Sequence, residues 1–188
     1  MLVLVQHLIR NGKWDRHRLT ELGKVLARFE AQPGRFLADP RWRAEAERIA
    51  RLKREVSEAI GEVRACAHCA KGCGGTSGVF EGGRCCGTNT QEVFAPPEVR
   101  VIKLAGVAPP TEPAADGDPH AGCIFRGSRG CSLAPEARPA KCLVYVCHEL
   151  RHELEGRDDD ARGERFERIQ ALRRELDEAQ ARLEAATS

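Results

Sequence analysis

Nine cysteines lie between Cys66 and Cys147, and none lies outside that stretch. The first half reads Cys66-Ala-His-Cys69-Ala-Lys-Gly-Cys73, followed after eleven residues (Gly74–Arg84) by the vicinal pair Cys85-Cys86. The second half reads Gly122-Cys123-Ile-Phe, Gly130-Cys131, Arg138-Pro139-Ala-Lys-Cys142 and Val144-Tyr-Val-Cys147-His148. A Cys-x₂-Cys pair brings two sulfurs to one ion through a tight turn, roughly 2.3 Å from the metal for zinc. Thiols at this density in a reducing compartment point to metal ligands or redox groups rather than disulfides.

Glycines crowd the same positions. Gly72, Gly74, Gly75, Gly82, Gly83, Gly87, Gly122 and Gly130 each fall within three residues of a cysteine. There they allow backbone N–H groups to approach sulfur. Successive side chains of an extended chain point to opposite faces, so Cys85 and Cys86 suit two metals, or a metal and a core. Nine cysteines supply two four-sulfur sites with one left over, or one cluster and several structural thiols. The pairs Cys66/Cys69, Cys69/Cys73 and Cys142/Cys147 approach zinc spacings. The ferredoxin runs are absent, and the order here, x₂ then x₃, reverses the radical-SAM pattern. Ligand softness does not separate zinc from iron–sulfur.

The vicinal cysteines precede Phe94-Ala-Pro-Pro-Glu98-Val-Arg-Val-Ile102-Lys-Leu-Ala-Gly106, and then the Cys123, Cys131 and Arg138-Pro139-x₂-Cys142-x₄-Cys147 block. This arrangement resembles the YkgJ-type cysteine-cluster family over residues 66–147. The family pattern is Cys-x₂-Cys-x₂-Cys-Cys, a short Pro-Glu helix, and a later Arg-Pro-x₂-Cys-x₄-Cys block. The first block departs from it, with five cysteines for four and the Gly74–Arg84 insertion, so Cys66, Cys69 and Cys73 are alternatives for the additional thiol. The resemblance implies chelation of zinc or iron with no set reaction, and an accessory role in an enzyme system is compatible with it.

The expected ligand set is therefore Cys66, Cys69, Cys73, Cys85, Cys86, Cys123, Cys131, Cys142 and Cys147, holding zinc ions or an iron–sulfur cluster. His68, inside the first turn, and His148, directly after Cys147, are expected to orient ligands. Arg138 is expected to support the thiolates through charge or hydrogen bonds, and Arg84, Arg126 and Arg129 are candidates for the same work. His120 and His152 are expected to be exposed.

Helices must carry this module. Asp39 and Pro40 form a helix start signal, and Trp42, Ile49, Val56 and Val63 recur every seven residues with Leu52, Ala59 and Cys66 on a second row. That spacing predicts a helix from Asp39 to Arg64 whose stripe brings Cys66 to the same side. Glu164 to Ala186 repeats the pattern through Ile169, Leu172, Leu176, Ala179, Leu183 and Ala186, with Phe166 ahead. Neither helix is stable alone, and the stripes can cover each other. A homodimeric coiled coil or a docked protein partner is the competing use of the stripes. Leu19, Leu22, Val25, Leu26 and Phe29 predict a short helix closed by Gln32-Pro33-Gly34, and Arg157–Asp160 reads as a solvated loop.

The expected fold is mainly α, one domain in which an irregular cysteine-rich module is flanked by long helices packed as an antiparallel pair. Its segments are an N-terminal helical part (1–38), a long helix (39–65), the cysteine module (66–150) and a C-terminal helix (151–188). Charge is biased at +5 over residues 1–65, balanced over 66–150 and −3 over 151–188. With aromatics at 5%, no basic, aromatic-laced face for nucleic acid is present. No apolar run approaches a membrane span, and the opening residues lack a secretory signal; the expectation is a soluble, cytoplasmic protein. No Gly-rich phosphate loop, His-Glu-x-x-His or Gly-x-Ser-x-Gly motif is present, which favours a non-catalytic metal-binding protein over an iron–sulfur redox or enzyme-associated one. A disulfide-stapled exported domain is disfavoured by the odd thiol count.

Overall fold

The computed structural model describes residues 2–61, 90–117, 122–146, 148–155 and 160–187. Among them the chain is mainly helical. In order it forms α1 (Leu2–Glu30), α2 (Gly34–Leu37), α3 (Pro40–Ile60), α4 (Thr90–Val93) and α5 (Pro96–Leu104). A small hairpin follows, β1 (Arg126–Gly127) with β2 (Gly130–Cys131), then a 3-10 turn (Pro135–Ala137), α6 (Ala140–Val144), α7 (His148–Glu155) and α8 (Asp160–Thr187).

The frame is the α3–α8 pair. Asp39 caps α3 by accepting the Arg41 backbone N–H at 2.9 Å, and Pro40 takes the first helical position, where its missing N–H costs nothing. Ile49, Leu52 and Val56 from one helix bury against Leu176, Ala179 and Leu183 from the other. The direction is antiparallel. Glu45 pairs with Arg182, Arg48 with Glu175, and the carbonyls of Ala59 and Ile60 accept from Arg165. Because Ile169, Leu176, Ala179 and Leu183 are at most 1% exposed within one chain, the α8 stripe faces α3 rather than a second copy. Burial of this kind contributes on the order of 2 kcal/mol per large side chain.

Three sequence expectations shift at the edges. Helix α3 stops at Ile60, where Gly61 adopts a φ of +62° that favours glycine. The rest of the expected stripe, Val63, Arg64 and Cys66, lies outside the described residues. Helix α8 begins at Asp160, so Asp160 is helical, and its last stripe residue, Ala186, is exposed. Helix α1 is much longer than Leu19–Phe29 suggests; Leu22, Val25 and Phe29 are buried, whereas Leu19 is 60% exposed.

A second core joins α1, α4, α5 and the segment before the hairpin. Leu22, Val25, Phe29, Val93, Phe94, Val99, Ile102, Ile124 and Phe125 form it, with the Phe94 and Phe125 rings edge-on at 5.3 Å. Helix α1 is held over it by Arg28, which donates to the carbonyls of Gln91 and Phe94, and by Arg18, which donates to Ala114.

Candidate metal centre

Three of the expected ligands are described, and they come from three different segments. Cys123 precedes β1, Cys131 ends β2, and Cys142 sits in α6. All three pack against the Phe94–Phe125 core, and none is in a disulfide. Cys66, Cys69, Cys73, Cys85, Cys86, Cys147 and His68 lie outside the described residues, as do Arg84 and His120. His148 opens α7. Among the described residues, no group of three or more His, Cys, Asp or Glu side chains is arranged to hold a metal. Cys123, Cys131 and Cys142 do not make a complete site by themselves.

The hairpin that carries Cys131 and follows Cys123 is built by backbone demands. Arg126 pairs with Cys131 and Gly127 with Gly130. Gly130 turns the chain at a φ of +118°, which side-chain-bearing residues rarely adopt. At Gly127 a Cβ would lie 2.6 Å from an Asp116 carboxylate oxygen, so a larger residue would push that side chain aside. The Arg126 N–H donates to the Cys123 carbonyl at 3.2 Å and Ser132 N–H to Phe125 at 2.8 Å, closing the turn between the two cysteines. Asp116 accepts from the Ser128 hydroxyl at the tip.

Thr90, at the start of α4, fixes the Cys123 loop from the other side. Its buried hydroxyl accepts the Ile124 N–H at 3.1 Å and donates to the Gly122 carbonyl at 3.5 Å. Burial pushes the Cys123 thiol up to about 11, opposed by hydrogen bonding from the Phe125 backbone and the Thr90 hydroxyl and by the positive charge of Arg126; nearby Cys131 adds to the rise. A nucleophilic cysteine needs the opposite displacement, so Cys123 in this setting is not poised to attack.

Cys142 is positioned by the Arg138-Pro139 turn, where its N–H donates to the Pro139 carbonyl at 2.9 Å. Arg138 Nε donates to the Leu133 carbonyl at 2.9 Å and a terminal nitrogen to the Ser57 hydroxyl at 3.3 Å. In these bonds Arg138 braces the turn against α3. Of the other arginines near the cysteines, Arg126 is buried and Arg129 is exposed. His152 is exposed, as expected.

The sequence reading missed a buried polar junction that joins this module to the frame. Glu98 in the first turn of α5 accepts from Lys53 of α3 at 2.7 Å, from the Ala140 N–H at the start of α6 at 3.0 Å, and from Gln180 of α8 at 2.9 Å. The Lys53 and Glu98 side chains are only 1% and 9% exposed. Through Glu98, the Pro-Glu helix is tied directly to the turn carrying Cys142. Glu98 stood inside the quoted motif, but Lys53 gave no signal, since its helix is rich in exposed basic residues. A cavity of about 520 Å³ beside this junction is lined by Lys141, Tyr145, Arg173 and Asp177 among others. Among the described residues, no cysteine lines it.

No helix among the described residues is long and apolar enough to cross a membrane. Comparison with protein-family models, curated proteins and solved structures yields no match.

Proposed function

We propose that this chain is a non-catalytic metal-binding protein that holds zinc or an iron–sulfur centre through thiolates of its two cysteine blocks. The observation that carries the reading is that Cys123, Cys131 and Cys142, from three segments, each pack against one hydrophobic core. Nothing in hydrophobic packing alone requires three thiols there, whereas a metal site draws on several thiolates. Structural support beneath each thiol fits the same reading: the Thr90 hydroxyl under the Cys123 loop, the glycine hairpin under Cys131, and Glu98 with Arg138 under Cys142. Ligand positions that are braced in this way are what a metal site demands.

The residues fit either metal through sulfur donors, and the group when bound would supply cross-linking between the blocks. The test is purification without oxygen, with near-ultraviolet and visible absorption and measurement of zinc, iron and acid-labile sulfide. A colourless protein carrying zinc near one or two equivalents supports a structural or storage site. A brown protein with iron and labile sulfide supports the cluster and turns attention to redox or enzyme-associated work. A protein that retains neither, and cannot be loaded with either after reduction, overturns the proposal.

A further inference from the structure

The cavity of about 520 Å³ beside the Glu98 junction lies between α6 and α8 and has the volume of a small-ligand site. Arg173 lines it, half-buried and fixed by two bonds: Nε donates to the Leu143 carbonyl at 3.2 Å, and one terminal nitrogen to the Gln170 amide oxygen at 2.8 Å. Its other terminal nitrogen has no partner among the described residues. Burial holds its pKa below the ordinary arginine value, with Asp177 opposing and the like charge of Arg151 adding to the fall. Exposed Lys141 and half-buried Tyr145 line the same cavity, and neither side chain has a hydrogen-bond partner among the described residues. Open acceptors stand beside these open donors. Asp177 is exposed one helical turn from Arg173 and accepts no hydrogen bond among the described residues. Gln180, only 6% exposed, donates through Nε2 to both Glu98 and Glu184, which leaves its Oε1 buried with no donor among the described residues.

We propose that this cavity binds a free α-amino acid, its carboxylate held by Arg173, Lys141 and Tyr145 and its ammonium by Asp177. Residues four apart on a helix carry their Cβ atoms roughly 6 Å apart, a spacing at which one small zwitterion can meet both Arg173 and Asp177. A braced guanidinium with a free nitrogen suits a carboxylate. A simple anion would also meet the charges of Asp177 and Glu184, and a simple cation those of Lys141 and Arg173, so only a ligand bearing both signs is favoured at each end. Val144 and Ala181 supply apolar wall for a side chain. The site uses none of the cysteines and does not rest on the metal-binding reading.

The experiment screens the standard α-amino acids at millimolar concentration against the full chain by saturation-transfer NMR. Calorimetry then measures any that bind, beside their N-acetyl and carboxamide derivatives, which each lack one charge. The expected result is binding of at least one free amino acid, with both derivatives at least about tenfold weaker. A hydrogen bond to a charged group corresponds to roughly 10- to 100-fold in affinity, so Arg173→Gln and Asp177→Asn should each lose that much. Absence of binding by every amino acid overturns the inference, as does a derivative that binds as well as its parent. Unchanged affinity in either variant also overturns it, and would mark chelation by a bound metal or binding elsewhere. Should Arg173→Gln fail to fold, Asp177→Asn at its exposed position decides by the same criterion. Zinc and iron content of the same samples tests the metal-binding reading separately, so either can fail while the other stands.

Discussion

The α3–α8 pair and the hairpin region solve the same problem with different materials. The helical pair is aliphatic and repetitive: Ile49, Leu52 and Val56 meet Leu176, Ala179 and Leu183, and charges such as Glu45 and Arg182 trim the edges. Its energy comes from area removed from water, and it needs no single residue to be in one exact chemical state. The hairpin region has two-residue strands and short helices, too little regular structure to satisfy its backbone by ladder bonds alone. Its loops are closed by particular side chains instead: Thr90 on Ile124 and Gly122, Arg138 on Leu133, Glu98 on Ala140. Tolerance to substitution should therefore be broad in the first region and narrow in the second. Geometry held to a few tenths of an ångström is also what sulfur ligands require.

Glu98 is the place where the two regions meet, so its loss gives the largest effect. Truncation in Glu98→Ala leaves Lys53 buried without its carboxylate and removes the acceptor for both Ala140 N–H and the Gln180 amide. Breaking a buried ion pair from one side costs roughly 3–5 kcal/mol. Denaturant unfolding should show a loss of that order, and zinc affinity should fall with it because the Cys142 turn loses its anchor. The double variant Lys53→Met/Glu98→Leu should recover only part of the stability, since Ala140 and Gln180 remain without their acceptor. Full recovery would mean that Glu98 serves Lys53 alone and does not couple module to frame.

Within the module, Thr90→Val is nearly isosteric and removes one hydroxyl. The Ile124 N–H then loses its acceptor in a buried setting, at a cost of about 1–3 kcal/mol. Because the affected loop holds Cys123, zinc affinity should drop even where global unfolding is only modestly displaced. A Thr90→Val protein with wild-type affinity would show that the Cys123 loop is fixed by something other than this contact.

The contrast also explains what could be read from the sequence. The helices were legible because a seven-residue recurrence of Ile49, Val56 and their partners is a local signal, and the Asp39-Pro40 start is legible for the same reason. Helix α1 was under-read, since the stretch before Leu19 lacks a comparable stripe, and Gly61 stopped α3 early without disturbing the pattern upstream. In the module the cysteine spacings announced chemistry, but what supports the thiols did not. Thr90, Lys53 and Gln180 act through contacts 34, 45 and 82 residues away in sequence, and no periodicity reports a pairing of that span. Arg126 was one of several arginines near cysteines, and only its burial separates it from exposed Arg129.

The smallest expected effect lies wholly in the frame, and its value is as a control. Asp39 caps α3 through the Arg41 N–H, and its carboxylate also meets the Arg41 guanidinium. Those bonds, the guanidinium first and the backbone N–H second, hold the carboxyl below its ordinary value of 3.8. A carboxylate with a depressed folded-state pKa stabilises the native chain above its unfolded value, and that contribution is lost as pH falls through the folded value. Loss of an N-cap in a chain of this size should lower Tm by about 2–4 °C near neutral pH. The Asp39→Ala deficit should shrink as pH falls below 3.8, where the wild-type cap becomes protonated too. Zinc affinity should remain at the wild-type level throughout, because the α3 start is remote from the thiols. If Asp39→Ala weakens zinc binding as much as Thr90→Val does, frame and module are one cooperative unit and the division drawn between them fails.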